Sequence, residues 1–513
     1  MKDKHSNGLL MRSLDGIERT GNKLPHPVTL FALFALMVVL ASGLFSALGT
    51  AVQHPDPDEG MIQVESLMTA EGVQYMFESA VDNFVGFAPL GTVLVTMLGI
   101  GIAERSGLIS AALRALVMSV PRQLITAALV FGGIMSSMAA DAGYVVLTPL
   151  GAVLFAGLGR HPIAGLAAAF AGVSAGFSAN LLLTSLDPLL GDLTIAAAAI
   201  YDASYAEGMN IMMNYYFIFA SVFVLTIVGT LVTEKVVEPR LGKYDGGIGE
   251  KAESLTRTEK KGLGAAGLTF LLTIAAASLL VVPEWAPLRD TGADSIVEGL
   301  NPFFASLVPI ILLTFFIPGY VYGRITNEIK DDKDVANKMS DTMAAMGMYV
   351  VLAFVAGQFV AYFEQTNLGL VMSVSGAEFL QGLGLEDAGI PLLIAFILVA
   401  GFINLFIGSA SAKWALMAPV FVPLMMAMGI SPEATQLAYR IADSTTNVIS
   451  PLMPYFAIVI AFAQKYDKKA GIGTLIATML PYSIAFTIIW MVMLVVWILT
   501  GIPLGPNAPV MYP

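Results

Sequence analysis

Long apolar stretches alternate with short polar ones along this chain, and the lengths of the apolar stretches predict its elements. A helix crosses about 30 Å of hydrocarbon with roughly 18 or more apolar residues. Windows of that kind lie near 27–49, 87–104, 162–186, 211–233, 262–283, 302–323, 342–363, 434–463 and 471–499, which predicts nine transmembrane helices. Two further stretches do not fit a single crossing. Residues 123–159 are too long for one helix, yet Arg122 and Arg160 at their two ends both read as cytoplasmic. A re-entrant hairpin satisfies both facts: one arm enters, a tip of small residues turns at Ser136–Gly143, and a second arm returns. Residues 389–430 repeat this arrangement around the tip Gly408–Lys413. Non-helical backbone at such tips is tolerated only where protein or a water-filled cavity satisfies its N–H and C=O groups.

Loop charges orient the crossings. Between Ser46 and Gly86 there are seven acidic residues and no Lys or Arg, whereas 234–261 carries Lys235, Arg240, Lys243, Lys251, Arg257, Lys260 and Lys261. The positive-inside rule puts the first segment outside and the second in the cytoplasm. It likewise places Arg324–Lys338, Lys465–Lys469 and the basic N-terminus inside, with Asp187–Glu207 and Glu364–Asp387 outside. Parity then opens the first hairpin to the cytoplasm and the second to the outside.

The two hairpin regions also correspond in sequence. A shift of 270 residues aligns Tyr144 with Trp414, Pro149 with Pro419, Gly159 with Gly429, Pro162 with Pro432 and Ser174 with Ser444. Segments 123–233 and 389–499 each read as a hairpin, a crossing with a polar interruption and a further crossing, in opposite orientations. Inverted repeats with discontinuous helices characterise secondary transporters, whose substrate site lies near the midplane between the repeats.

The polar interruptions are RIADSTTNVISPLMPY (Arg440–Tyr455) in the second repeat and GVSAGFSANLLLTSLDP (Gly172–Pro188) in the first. A broken helix exposes N–H groups at one half-helix end and carbonyls at the other, able to hold anions and cations respectively. Ser444, Thr445, Thr446, Asn447 and Ser450 add hard oxygen ligands suited to Na⁺ or to substrate hydrogen bonds. With Asn180 in the opposite interruption, Ser444 and Asn447 mark a candidate Na⁺ position. A charge at mid-bilayer costs about 2.5–3.5 kcal/mol even on lenient scales, so Arg440 and Asp443 call for a purpose. One reading is an internal Arg440–Asp443 pair at i, i+3 spacing that fixes packing. Asp187 stands at an apolar-to-acidic boundary, where it is either a site carboxylate or an outer-loop one.

Composition closes off other classes. With 57% hydrophobic and 12% charged residues among 513, the chain cannot bury its apolar side chains as a water-soluble globule. Its net charge of −12 says less about partners than the distribution between loops does. The absence of cysteine excludes disulfides, thiolate metal sites and thiol nucleophiles, and the four histidines (5, 26, 54 and 161) have no ligand spacing. The first 25 or so residues are polar, so no cleavable signal peptide is expected. No HExxH or GxSxG motif points to an intramembrane enzyme. A channel would want a continuous polar pore instead of two closed hairpins.

The stretch GSASAKWALMAPVFVPLMMAMGISPEATQLAYRIADS closely resembles the corresponding part of the AbgT family of bacterial inner-membrane transporters, the p-aminobenzoyl-glutamate transporters. So do GNKLPHPVTLF, GFAPLG with GIAERSGL, GRHPIAGLAAAFAGVSAGFSANLLL, EPRLG and GIPLGP, in order over nearly the whole chain. The resemblance implies an all-α polytopic homodimer, each protomer with nine transmembrane helices and two re-entrant hairpins, its N-terminus cytoplasmic. It implies uptake of p-aminobenzoyl-glutamate or expulsion of sulfonamide antimetabolites, and functional positions at Asp187, Asn404, Ser411, Trp414, Pro432, Arg440, Asp443 and Pro451. Chemistry suits these roles. Arg440 offers a planar fork to a carboxylate or sulfonyl group, and Trp414 an aromatic face to a p-aminobenzoyl ring; the alternative for Trp414 is a tryptophan of the interface belt, against which its place beside a hairpin tip argues. Asp443 and Asp187 are candidate proton carriers or Na⁺ ligands, and Asn404 and Ser411 could supply amide and hydroxyl groups. Pro432 and Pro451 would shape the helix breaks, since proline removes a donor and stiffens the chain. Lys413, at the second hairpin tip, has no assigned direction. The expected protein is an H⁺- or Na⁺-coupled carrier, in contact with lipid and a small-molecule substrate, without cofactor or nucleic acid. The alternative is a Na⁺-coupled dicarboxylate transporter.

Overall fold

The computed structural model describes residues 25, 27–53, 60–87, 89–139, 143–244, 254–293, 298–382, 389–407, 409–450, 453, 455–468 and 470–513. It is an assembly of α-helices with one two-stranded ribbon, in which Ala51–Gln53 pairs antiparallel with Met61–Gln63. By length and composition, seven helices among the described residues can cross a membrane, or eight if the pair Pro89–Arg105 and Leu108–Met118, bent by 60°, counts as one more. One of the seven, Ala410–Ala427, is a hairpin arm. Both polar-interrupted crossings are absent from that set because each is cut into shorter helices, so the expected count of nine depends on joining their halves.

Both hairpins form. The first runs Ile125–Met135, a tight turn at Ser136–Ala139, then Gly143–Leu147 and Thr148–Gly157; residues 140–142 of its expected tip lie outside the described residues. The second runs Gly389–Asn404 and Ala410–Ala427, with Ser409 capping the returning arm through Ala412 N at 3.3 Å. Each is followed by a helix that begins the same way, with a capping side chain and a proline at the first helical position. His161 accepts from Ile163 N before Pro162, and Ser431 accepts from Ala434 N before Pro432. Proline is favoured there because its missing N–H would have no partner in any case. Pro432 therefore starts its helix and does not break it, which corrects the role expected for it; Pro451 lies outside the described residues.

The interruptions are real. Pro162–Phe170 widens into a π-turn at Ala171–Ala175, is non-helical from Ala179 to Thr184, and resumes as Leu186–Ala199. Pro432–Asn447 ends before Val448, and Phe456–Gln464 resumes the path. The resumed half Leu186–Ala199 overturns the expected outer loop at 187–207. Its acidic residues suggested solvent, but both carboxylates have partners inside the protein, and the remainder is mostly Leu and Ala, packed against the second hairpin's returning arm. Helices Leu108–Met118, Asp332–Ala345 and Leu368–Gly382 likewise occupy segments that hydropathy left as connections.

Small residues let the first hairpin approach its broken helix closely, as in membrane packing generally. A Cβ on Gly133 would lie 2.7 Å from the Ala169 carbonyl oxygen, and one on Gly165 only 2.1 Å from that of Gly151. The more peripheral helices, such as Pro27–Ala47, keep Leu36, Met37, Leu40 and Leu44 outward, as expected of a lipid-facing surface. At the other end of the molecule the C-terminal stretch folds back onto the core. Tyr216 N and Phe217 N donate to Leu504 O at 2.9 and 3.2 Å, and Tyr512 N donates to Gly429 O at 2.9 Å.

Packing of this kind makes a specific stability contrast. Gly165→Ala should destabilise the protein by about 1–3 kcal/mol through overpacking. Gly264→Ala, in the helix Arg257–Leu279 with open space at its Cβ, should be neutral or stabilising by up to about 1 kcal/mol. Thermal melting in detergent checks both; equal midpoints for the two variants would contradict the close approach.

Candidate functional site

The helix Pro432–Asn447 carries the site. Fifteen of its sixteen residues are buried, Thr446 being the half-buried exception, although the segment contains Glu433, Gln436, Arg440, Asp443 and Asn447. A buried charge is sustained only by a partner with good geometry. The structure supplies one for each of the two central charges, and neither is the neighbour anticipated from sequence. Arg440 does not pair with Asp443 three residues along. Its Nη2 lies 2.7 Å from Asp187 Oδ1, on the resumed half of the other broken helix, with side chains 2% and 4% exposed. Asp443 Oδ1 is 2.6 Å from Lys413 Nζ, at the start of the second hairpin's returning arm, with side chains 2% and 0% exposed. Asp187 is thus buried within the protein, on a helix and paired with Arg440, and not an outer-loop carboxylate. Its other oxygen accepts from Thr184 N at 2.7 Å and Thr184 Oγ1 at 3.2 Å, which fixes it at the end of the interruption.

Asn404, the last residue of the entering arm of the second hairpin, ties this arm to the break. Its amide nitrogen is 2.8 Å from Asp443 O, 2.8 Å from Thr446 Oγ1 and 2.9 Å from Asn447 Oδ1, while its Oδ1 accepts from Lys413 Nζ. Ser450 Oγ donates to Asn404 O at 3.3 Å. Other hydroxyls of the polar run bond back to their own helix, Thr445 to Ile441 O at 2.9 Å and Thr446 to Ala442 O at 2.7 Å. The polarity that looks misplaced in sequence is therefore satisfied largely within the interruption itself and by the hairpin beside it.

Trp414 is fully buried. Its ring stacks on Tyr439 with centroids 4.4 Å apart, and its Nε1 donates to Thr194 Oγ1 at 3.0 Å. This removes the interface-belt reading, and it also means that a substrate ring can meet the indole face only after Tyr439 or Trp414 moves. Ser411 is half-buried, 3.4 Å from Ser409 Oγ, and has no bond to either ion pair.

The two interruptions meet directly. Ser178 N donates to Ser444 Oγ at 3.1 Å and Ser174 Oγ lies 3.3 Å from Met453 Sδ. Asn180 Nδ2 reaches Ser137 Oγ at the first hairpin tip. Among the described residues, Asn180 Oδ1, Ser178 Oγ and Arg440 Nε are buried and lack hydrogen-bond partners. Such orphans at one junction are groups that a ligand or coupling ion would satisfy. Of the expected Na⁺ ligands, Asn180 and Ser444 lie at this junction, whereas Asn447 is turned to Asn404. No cluster of His, Cys, Asp and Glu suited to a divalent metal occurs among the described residues.

Sequence reasoning left out Thr194, Gln436 and Asn214. Gln436 Nε2 donates to Thr194 Oγ1 at 2.7 Å, and Asn214 Nδ2 donates to Gln436 Oε1, extending the polar network along Pro432–Asn447. The signal that could have found Gln436 is its spacing, since it shares the helical face of Arg440 and Asp443.

A profile of the AbgT putative transporter family matches residues 12–512. The chain is 38% identical over 491 residues to the p-aminobenzoyl-glutamate transport protein of Escherichia coli (strain K12), covering 96% of this chain and 95% of that one. Its fold is similar to the crystal structure of the YdaH transporter of Alcanivorax borkumensis, with a TM-score of 0.88, 45% identity and coverage of 94% of this chain and 100% of the other. It is similar too to MtrF of Neisseria gonorrhoeae, described with a class of antimetabolite efflux pumps, at a TM-score of 0.87, 46% identity and coverage of 97% and 100%. Matched along nearly its whole length in both sequence and fold, the chain belongs to the AbgT family and is a multi-pass membrane transporter.

Proposed function

We propose that this protein is an ion-coupled secondary transporter of aromatic carboxylates of the p-aminobenzoyl-glutamate kind, and of sulfonamide antimetabolites that share the aminophenyl ring. The observation that carries the reading is the pair Arg440–Asp187, a cation already held by an internal carboxylate at the junction of two broken helices. An anionic substrate can take the guanidinium only if Asp187 yields it. Protonating Asp187, or replacing its contact with Na⁺, neutralises the competing carboxylate, so substrate and ion binding become linked. The buried Arg440 Nε, free of partners, is the second prong of a bidentate clasp on the incoming group. Asp443 with Lys413 offers a second exchange of the same type beside the hairpin tip.

With each interrupted crossing taken as one span, and the bent pair as another, the chain makes nine spans and two hairpins. Segments 123–233 and 389–499 then form the inverted repeat, and rocking about their junction gives alternating access. The assembly is a homodimer in the bacterial inner membrane with its N-terminus cytoplasmic, and no catalytic step is involved. The similarity to the Escherichia coli and Neisseria gonorrhoeae proteins supports the substrate class. Labelled p-aminobenzoyl-glutamate and a sulfonamide, offered to proteoliposomes under separate H⁺ and Na⁺ gradients, test the reading. Gradient-dependent movement of at least one is expected, and absence of movement under both gradients would refute it. In the same assay Arg440→Lys should weaken substrate binding by about tenfold or more, roughly 1.4 kcal/mol, through loss of the fork.

Removing one partner of a buried pair strands the other, at a cost of about 3–5 kcal/mol. Asp443→Asn should therefore lower the melting temperature as well as stop transport, and adding Lys413→Met should recover much of the stability without recovering transport. A double variant that transports like the wild type would relegate the pair to packing.

The orientation is tested by single cysteines in this cysteine-free chain. Ser431, at nearly the position in the second repeat that Arg160 holds in the first, is buried and bonded to Pro509 O at 2.7 Å, so the exposed Pro509 is the better reporter of that side. A Pro509→Cys variant should react with an impermeant maleimide in intact spheroplasts, and a Gln123→Cys variant, at the exposed base of the first hairpin, only after the membrane is opened. Labelling of both from one side would show the repeats to be parallel.

A further inference from the structure

The charged and amide side chains of the helix Pro432–Asn447 fall at 433, 436, 440, 443 and 447. Steps of three and four place all five on one face. Gln436, Arg440, Asp443 and Asn447 bond to neighbouring elements of the transport core. Glu433 takes no part in that network. An acidic residue in a first helical turn complements the positive end of the helix and ordinarily does so from solvent, but Glu433 is only 1% exposed. Its hydrogen-bond partner from another element is the phenol of Tyr205, whose oxygen lies 3.2 and 3.1 Å from the two carboxylate oxygens. Ser431, the capping residue, is the polar neighbour on its own segment.

The groups behind Tyr205 are acidic or neutral as well. Asp202 accepts from Tyr205 N at 2.9 Å and from the hydroxyl of Tyr512, and Tyr201 packs edge-on against Tyr512 with centroids 5.8 Å apart. No Lys, Arg or His among the described residues forms an ion pair with Glu433. Although buried, Glu433 lines a cavity bounded by Tyr205, Met209, Pro503, Pro509 and Met511. That cavity lies at the helix end assigned to the outside by loop charge. Glu433 thus borders a cavity that neither ion pair lines, while the polar face leads from it to Arg440 over seven residues, about 10 Å of helix.

We propose that Glu433 is the carboxylate through which a coupling proton enters or leaves on the outer side. A hydronium ion in external water gives up one O–H bond as one carboxylate oxygen forms one, leaving a neutral carboxyl and water; the reverse transfer restores both, and no other covalent bond changes. The charge state of Glu433 is linked to the cover of the cavity. An ionised carboxylate accepts a charge-assisted bond from Tyr205 and holds the short helix Ala203–Glu207 closed. A neutral one holds it less firmly, and linkage makes proton binding and opening favour each other.

This inference rests on the ion-coupled reading above, and its test separates the two. Full-length protein in proteoliposomes is assayed twice with p-aminobenzoyl-glutamate: driven by a pH gradient, and in counterflow at equal pH, where no net ion movement is needed. In Glu433→Gln the driven rate should fall about tenfold or more while counterflow stays within about twofold of wild type, and Glu433→Asp should recover part of the driven rate. Driven transport at the wild-type rate in Glu433→Gln overturns the proposal, as does loss of both modes in a monodisperse variant, which would make the residue structural. A wild type that carries substrate without responding to a pH gradient overturns it as well, and at the level of the coupling ion; a wild type that carries nothing removes the transport reading beneath it. If Glu433→Gln does not fold, Tyr205→Phe takes its place. A shifted dependence of the driven rate on external pH is then expected, and an unshifted one overturns the proposal.

Discussion

Two cations buried inside a membrane protein, each held by one carboxylate from another element, set the terms for everything around them. Taking an ion out of water costs several kcal/mol, and the mutual attraction of a pair offsets that only when the geometry is good and the remaining polar atoms are bonded. Lys413 meets those conditions through Asp443 and Asn404, whereas Arg440 has a close contact with Asp187 but keeps its Nε without a partner. The partners belong to different parts of the chain, so the pairs also act as clamps. Lys413–Asp443 joins the second hairpin to the helix that follows it, and Arg440–Asp187 joins that helix to the far half of the first interruption. A carrier that must rearrange needs clamps that can be traded for equivalent ones, and an anionic substrate together with a cation is such a trade.

The small-residue packing described above follows from the same requirement. Hairpin tips and helix breaks expose backbone polar groups that hydrocarbon cannot satisfy. They must be surrounded by protein at short range, which glycine and alanine faces permit and larger side chains would prevent. Gly133 against Gly172 and Gly151 against Gly165 bring the first hairpin to within backbone contact of its broken helix. The second hairpin is held by side chains more than by bare backbone. Asn404 reaches across to the break, and Trp414 sits between Tyr439 and Thr194. The first hairpin is therefore held by close backbone approach and the second by a network of side-chain hydrogen bonds and ring stacking.

Burial of Trp414 and pairing of Arg440 together describe a conformation in which the aromatic face and the cationic fork are both occupied by the protein itself. On the proposed function, substrate recognition proceeds by replacement: Tyr439 by a substrate ring, Asp187 by a substrate carboxylate. Each replacement exchanges an interaction for one of the same kind, which keeps the bound and unbound states close in energy, as a transporter that must release its cargo requires.

The membrane class, the two hairpins and the two interruptions were legible in the sequence, because hydropathy and loop charge are summed over local windows that the bilayer reads directly. The importance of Arg440 and Asp443 was legible for the same reason, since a charge in an apolar window stands out whatever its partner. Where local signals conflicted, the reading failed. Asp187 and Asp192 made Leu186–Ala199 look like a solvated loop, although Arg440 and Thr92 accommodate those carboxylates inside the protein. Pro432 looked like a breaker, whereas its position beside the capping Ser431 makes it a helix start. Only the tertiary structure decided which carboxylate each cation holds. Asp443, three residues from Arg440 along its own helix, lost to Asp187, 253 residues away, because a buried pair is selected by the approach of packed elements and the bonds that complete it, and neither is encoded in spacing along the chain.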